Sequence, residues 1–153
     1  MSKLTVTTDV PNEIHMTRVF DAPRRLVIRA MSTPDLLKRW LGGVRAVVVS
    51  AEVDLRVGGK YRYVFRRPDG FEFAFSGVYR EVSEDRVVHT EVFEGTPGEA
   101  QITTTLAESG GKTTMTLVMR FESQAVRDMV LGTGMAEGAG ESYDKLNELL
   151  ASL

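Results

Sequence analysis

From Val44 onward the chain alternates apolar and polar residues with a period of two. Tyr61, Tyr63 and Phe65 oppose Lys60, Arg62 and Arg66, and Met115, Leu117, Met119 and Phe121 oppose Thr114, Thr116 and Arg120. Phe71, Phe73, Phe75 and Tyr79 likewise share one parity. A sheet with one dry and one wet face has this pattern. It predicts strands over Val44–Leu55, Lys60–Arg67, Phe71–Val82, Arg86–Glu94, Ala100–Ala107 and Thr113–Phe121. The links Gly58-Gly59, Pro68-Asp69-Gly70 and Ser109-Gly110-Gly111 carry tight-turn chemistry, and links so short imply antiparallel neighbours.

Upstream, Glu13–Phe20 reads as a first strand, broken by Asp21-Ala22-Pro23. Arg24–Met31 reads as a short helix, with Leu26, Val27 and Ala30 at helical spacing. Thr33-Pro34-Asp35 starts another: threonine caps, proline takes the first position, and aspartate favours the positive end. Leu36, Leu37, Trp40 and Leu41 form its apolar stripe, and Gly42-Gly43 stop it.

Ser123–Leu153 reads as one long helix, in which Met135, Gly138, Ser142, Leu146 and Leu149 share a stripe. Gly132, Gly134, Gly138 and Gly140 fall inside it. Each costs a helix roughly 0.5–1 kcal/mol relative to alanine, which predicts that a surface or ligand comes close there. Gly134, Gly138 and Ala139 are therefore expected on or beside the helix face that approaches the sheet. The dry face has to be covered, and this helix is the only large element available. Phe71, Phe73, Met115, Leu117 and Met119 are expected beneath it. The expected fold class is α+β: a curved antiparallel sheet of about seven strands, two short helices after the first strand, and a C-terminal helix over a cavity.

With 153 residues the chain can bury one sizeable core, and without linker or repeat residues 1–153 read as a single domain. Its 42% apolar and 26% charged residues fit a soluble globular protein. A net charge of −2, from 19 basic and 21 acidic residues, lacks the basic excess of nucleic-acid binders. The absence of cysteine excludes disulfides and thiolate metal sites. No apolar run approaches the ~20 residues of a membrane span. Met1–Pro11 reads as a flexible polar leader without an apolar signal region, so a cytoplasmic location is expected.

Several motifs, in order, resemble a known group. They are Arg18-Val19-Phe20-Asp21-Ala22-Pro23; Pro34-Asp35-Leu36-Leu37 with Trp40 and Gly42; and Asp54-Leu55-Arg56 with Gly58-Gly59-Lys60-Tyr61. Pro68-Asp69-Gly70, Phe75 with Gly77-Val78-Tyr79, Arg86-Val87-Val88, and Gly134-Met135 with Glu137-Gly138 follow. From about Ile14 to Leu150 the chain resembles the START-like (SRPBCC) superfamily with the helix-grip fold, the group of the birch-pollen allergen. Within it, the chain is most similar to the family named after the activator of the heat-shock-protein ATPase. The resemblance implies a cavity between sheet and helix for a lipid, steroid, polyketide or flavonoid. Some relatives are cyclases or hydrolases. Leu41, Gly43 and Ala139 stand where the pattern often has an aromatic residue, proline and tryptophan, which alters the cavity's shape.

Candidate chemistry is sparse. His89 and Glu91 share a face of one predicted strand, because they are two residues apart. On the cavity side they would form an acid–base pair; on the outer side, a solvated neighbourhood. Val88 and Val92 compete with Phe93 for the inside, so alternation leaves both open. His15 reads as a surface residue. No cofactor is expected, and no metal, because histidines are few and none sit one helical turn apart. Arg56, Lys60, Arg62, Arg66 and Arg67 read as a solvated outer face with Glu72.

The candidate cavity wall is drawn from the sheet's aromatic residues, Tyr61, Tyr63, Phe73, Phe75 and Tyr79, with Trp40 at one end. Met115, Leu117 and Met119 complete its floor, and Met135, Gly138, Ala139 and Ser142 its helix side. The leading reading is a binding module for a small apolar or aromatic molecule. The alternatives are an enzyme using the same cavity through His89 and Glu91, or a protein-interaction module, including a chaperone cofactor. Trp40 beside Leu37 and Leu41 would then be the surface contact, for instance in a homodimer.

Overall fold

The computed structural model describes residues 3–153; Met1 and Ser2, the start of the expected leader, lie outside the described residues. The elements are β1 (Thr5–Thr7), β2 (Glu13–Phe20), α1 (Arg24–Ser32), α2 (Pro34–Trp40), β3 (Val47–Val53) and β4 (Lys60–Arg66). Then come β5 (Glu72–Val82), β6 (Arg86–Phe93), β7 (Ala100–Ser109), β8 (Lys112–Arg120), α3 (Gln124–Leu131) and α4 (Met135–Leu150). The strands form one antiparallel sheet in the order β1-β2-β8-β7-β6-β5-β4-β3. This is the α+β helix-grip architecture. The strand count is eight rather than about seven, because Thr5–Thr7 of the expected leader pairs with β2, Val6 opposite Met16.

The expected single terminal helix is two. Gly134 takes φ 82°, a left-handed conformation that ends one helix and opens the next. Ser123 starts α3, its Oγ accepting the Val126 N–H at 3.2 Å. Arg127 ties α3 down: its buried Nη1 donates to the carbonyls of Thr8, Val10 and Glu13.

The glycines of α4 do not mark close packing on the sheet. A Cβ at Gly140 would meet nothing within 4 Å, and one at Gly138 would meet only the Arg45 side chain, at 3.7 Å. The close approach is at Gly43, where a Cβ would lie 2.9 Å from Glu141 Cβ. There Lys145 Nζ donates to Gly43 O (2.8 Å) and Arg45 Nε to Glu141 (2.8 Å). The chain after α2 thus grips α4 from the side, and the end of α4 packs with α1 and α2 in one apolar cluster.

Three apolar clusters fill the concave face. One joins α1, α2 and the end of α4 over Phe20, Leu106 and Met115, with Leu146 fully buried. A second lies beneath α3: Ile14, Met16, Ile102, Leu117 and Met119. The third is Val48 and Phe65 with Phe73 and Phe75 beside them. Phe71, expected in the core, is 56% exposed. The hairpin turn still holds it: its N–H donates to Asp69 Oδ1 and its ring stacks under Arg67, 4.7 Å from Cζ. Among the described residues no helix is long and apolar enough to cross a membrane.

Candidate functional site

Tyr61 and Tyr79 are buried, yet neither is a core member of these clusters. They sit on the concave face between them, and register decides what meets there. His89 pairs with Tyr79 on β5 and with Ile102 on β7, and Glu91 pairs with Ala100. Ile102 and Ala100 are core residues beneath α3, and directly paired side chains share a face. His89 and Glu91 therefore point inward, which alternation alone left open.

Gly77 shapes the site. The β5–β6 register sets it across from Glu91, so β5 offers no side chain to that carboxyl. A Cβ at Gly77 would lie 2.8 Å from Tyr61 Cε1 and would clash with the Thr90 carbonyl. Bare backbone lets the Tyr61 ring cross β5, so that its hydroxyl donates to Thr90 O at 2.7 Å. His89 Nδ1 is 2.9 Å from the same oxygen. A carbonyl only accepts, so Nδ1 carries the proton and Nε2 is left as an acceptor. The Val78 N–H turns to Thr90 Oγ1 instead, at 3.0 Å.

Rings wall the site. Tyr61 lies 4.9 Å from His89 edge to face, 5.5 Å from Tyr79 and 5.0 Å from Tyr63, centroid to centroid. Phe75, Phe73 and Phe65 continue the wall, with Phe73 stacked on Phe65 at 5.1 Å, and Phe93 forms a rim, 40% exposed.

Glu91 is the chemically distinctive group. It lies deep in the protein, keeps part of its surface free, and makes no hydrogen bond to the described residues. Burial alone pushes its pKa from 4.5 to about 7. Burial first, and then the Glu91 charge, holds Tyr61 and Tyr143 of α4 well above the usual phenol range. Tyr63 is raised by burial, then by Tyr79, then by Glu91. Tyr79 is pushed up to about 12 by burial. Burial lowers His89, against the opposing effect of the Thr90 carbonyl. The site thus joins a carboxyl near neutrality, a neutral imidazole and four phenols.

The structure brings together His89, Glu91, Tyr61, Tyr63, Phe75 and Tyr79. It leaves Trp40, Met115, Leu117 and Met119 in the packed clusters. Trp40 is not a surface contact: it is 3% exposed, donates Nε1–H to Ala30 O at 3.0 Å, and stacks on Tyr143. Met135 and Ala139 pack against the second cluster, Ser142 is buried, and Gly138 faces Arg45. Gly77, Thr90, Tyr143 and Arg18 were missed. Arg18 had a signal: it shares parity with Ile14, Met16 and Phe20, all inward. It is 1% exposed, with Nη1 on Asp144 at 2.6 Å and with Nε and Nη2 unpartnered.

On the outer face Arg62 pairs with Glu94, Arg66 with Glu72, Arg67 with Asp69 and Arg56 with Asp54. Among the described residues no three metal-binding side chains come together.

Comparison with known proteins gives a consistent picture. A Rhodobacter sphaeroides protein of known structure superposes with a TM-score of 0.93 over 99% of both chains at 24% identity. Protein NE0264 of Nitrosomonas europaea matches at 0.85 and 27% identity, over 95% of this chain and 97% of its own. Protein CV1439 of Chromobacterium violaceum matches at 0.78 and 31% identity, over 92% of this chain and 98% of its own. No curated protein matches this chain. The model of the family described as activator of Hsp90 ATPase homolog 1-like protein matches residues 21–151, and the chain belongs to that family, within the START-like superfamily.

Proposed function

We propose that this chain acts in the cytoplasm, as a single START-like domain, and binds a small, largely apolar or aromatic molecule between the concave sheet face and α4. The observation that carries this reading is Glu91, which is deep in the protein, partly free at its surface and without a hydrogen-bond partner. Burying a carboxyl costs stability unless something is gained there, and ligand sites place a few polar groups in apolar walls. Ring walls would supply burial at about 25 cal/mol per Å² of apolar surface. Tyr61, Tyr79, Phe75 and Tyr143 are the proposed contacts.

Native mass spectrometry of the protein isolated gently from its source tests this. A retained species of small-molecule mass, released on denaturation, is expected. A chain that carries only a chaperone would instead support a co-chaperone role, and a bare chain that takes up no aromatic probe would contradict the proposal.

A second reading, catalysis, is favoured by the inward pairing of His89 and Glu91 with neighbouring phenols. Oppositely shifted neighbours of this kind suit an acid–base pair. His89→Gln should then abolish turnover of a bound substrate while leaving its affinity within a few-fold.

A further inference from the structure

Two donors beside Glu91 are spent elsewhere. Tyr61 donates to Thr90 O, and the proton on His89 Nδ1 goes to the same oxygen. That leaves two acceptors on one strand face, the Glu91 carboxylate and His89 Nε2. The titratable groups around Glu91 are Tyr61 and Tyr63 on β4, Tyr79 on β5, His89 on β6 and Tyr143 on α4; β7 contributes Ala100. None is a cation, and among the described residues no lysine or arginine acts on Glu91. The buried cations are engaged elsewhere, Arg18 with Asp144 and Arg127 with the carbonyls of Thr8, Val10 and Glu13. The walls are phenol and phenyl rings, whose faces attract positive charge.

We propose that the ligand of this site is a flat apolar molecule carrying a protonated amine, with its ammonium on the Glu91 carboxylate and His89 Nε2 and its rings against Tyr61, Tyr79 and Tyr143. This rests on the reading that the concave face binds a small molecule. An ammonium donates to both acceptors and supplies the charge that the buried carboxylate lacks, so each group offsets the other's desolvation cost. A ligand carboxylate would meet Glu91 as a like charge and is excluded.

The test compares 2-naphthylmethylamine with 2-naphthylmethanol, which differ only in the head group, by calorimetric titration of the whole chain. At pH 8 the amine should bind at least about tenfold more tightly than the alcohol, the worth of a charge-assisted hydrogen bond. At pH 6, where Glu91 is mostly protonated, the preference should shrink several-fold. Glu91→Gln should reduce it to within about twofold, chiefly by weakening the amine. Gln removes the buried charge and keeps the shape, so this variant should remain folded. Equal binding of amine and alcohol by the wild type would overturn the amine assignment and leave the binding reading standing. Failure of both to bind would overturn both. A preference that survives Glu91→Gln would place the ammonium elsewhere and also overturn the assignment.

Discussion

Beneath the end of α4 and at the middle of the sheet, the same concave face is built in opposite ways. At the first place Phe20, Met115 and Leu146 are fully buried, and polar groups that enter are satisfied: Thr113 Oγ1 donates to Ala22 O at 2.7 Å, and Trp40 Nε1 to Ala30 O. At the second, the strand ladder gives up a carbonyl to two side chains, and a carboxyl stands without a donor. The difference separates tasks. Close-packed apolar residues supply stability, whereas an unsatisfied polar group costs it and is kept for what it can hold. Arg18 shows that cost does not identify a site by itself. Its unpartnered nitrogens have no free surface, while Glu91 has some.

The contrast is broken most severely by Leu146→Ala. With no exposed surface at Leu146, it should cost about 3–5 kcal/mol in chemical denaturation, and a loss under about 1 kcal/mol would show that this end is loosely packed. Glu91→Gln should do the reverse. Raising a carboxyl pKa from 4.5 to about 7 costs the ionised form on the order of 3 kcal/mol. The folded pKa is the higher one, so the wild type has its full relative stability below pH 4.5 and loses it as the pH rises to about 7. The Gln variant should therefore be more stable by up to about 3 kcal/mol at pH 8 and nearly equal at pH 4.5, read from denaturation midpoints at the two pH values. A flat difference across pH would remove the buried charge from the account.

Smaller effects sharpen the role of α4. Gly134→Ala forces a side chain into the left-handed region and should destabilise by about 1–2 kcal/mol. Gly140→Ala adds a methyl where nothing is met and should stabilise by about 0.5–1 kcal/mol. Melting curves of the pair should move in opposite directions; a Gly140→Ala variant that melts lower would mean that this face is packed.

Much of the frame was legible from alternation and turn residues, because a strand with one dry face writes its period into the sequence. Tyr61, Tyr63 and Phe65, and likewise Met115, Leu117 and Met119, point inward as the pattern required. Parity could not show where the hairpin begins, so Phe71 was counted with Phe73 although it belongs to the turn. Nor could it orient His89 and Glu91. Val88 and Thr90, of the other parity, are buried too, and only pairing with Ile102 and Ala100 decides. The terminal glycines were read as a group, yet they differ. Gly134 alters the backbone, Gly140 opens space, and the close contact to α4 comes from Gly43, a residue read only as a helix stop. Gly77 stood inside a recognised motif, but its purpose depends on a ring from the neighbouring strand, which no local window contains.

The central claim is that the middle of the concave face holds a desolvated carboxyl without a protein donor. Titration of the Glu91 side-chain carboxyl carbon by NMR tests it most directly. An inflection near pH 7, which moves down when an amine binds, is the predicted result. An inflection near 4.5, as for a carboxyl in water, would contradict it.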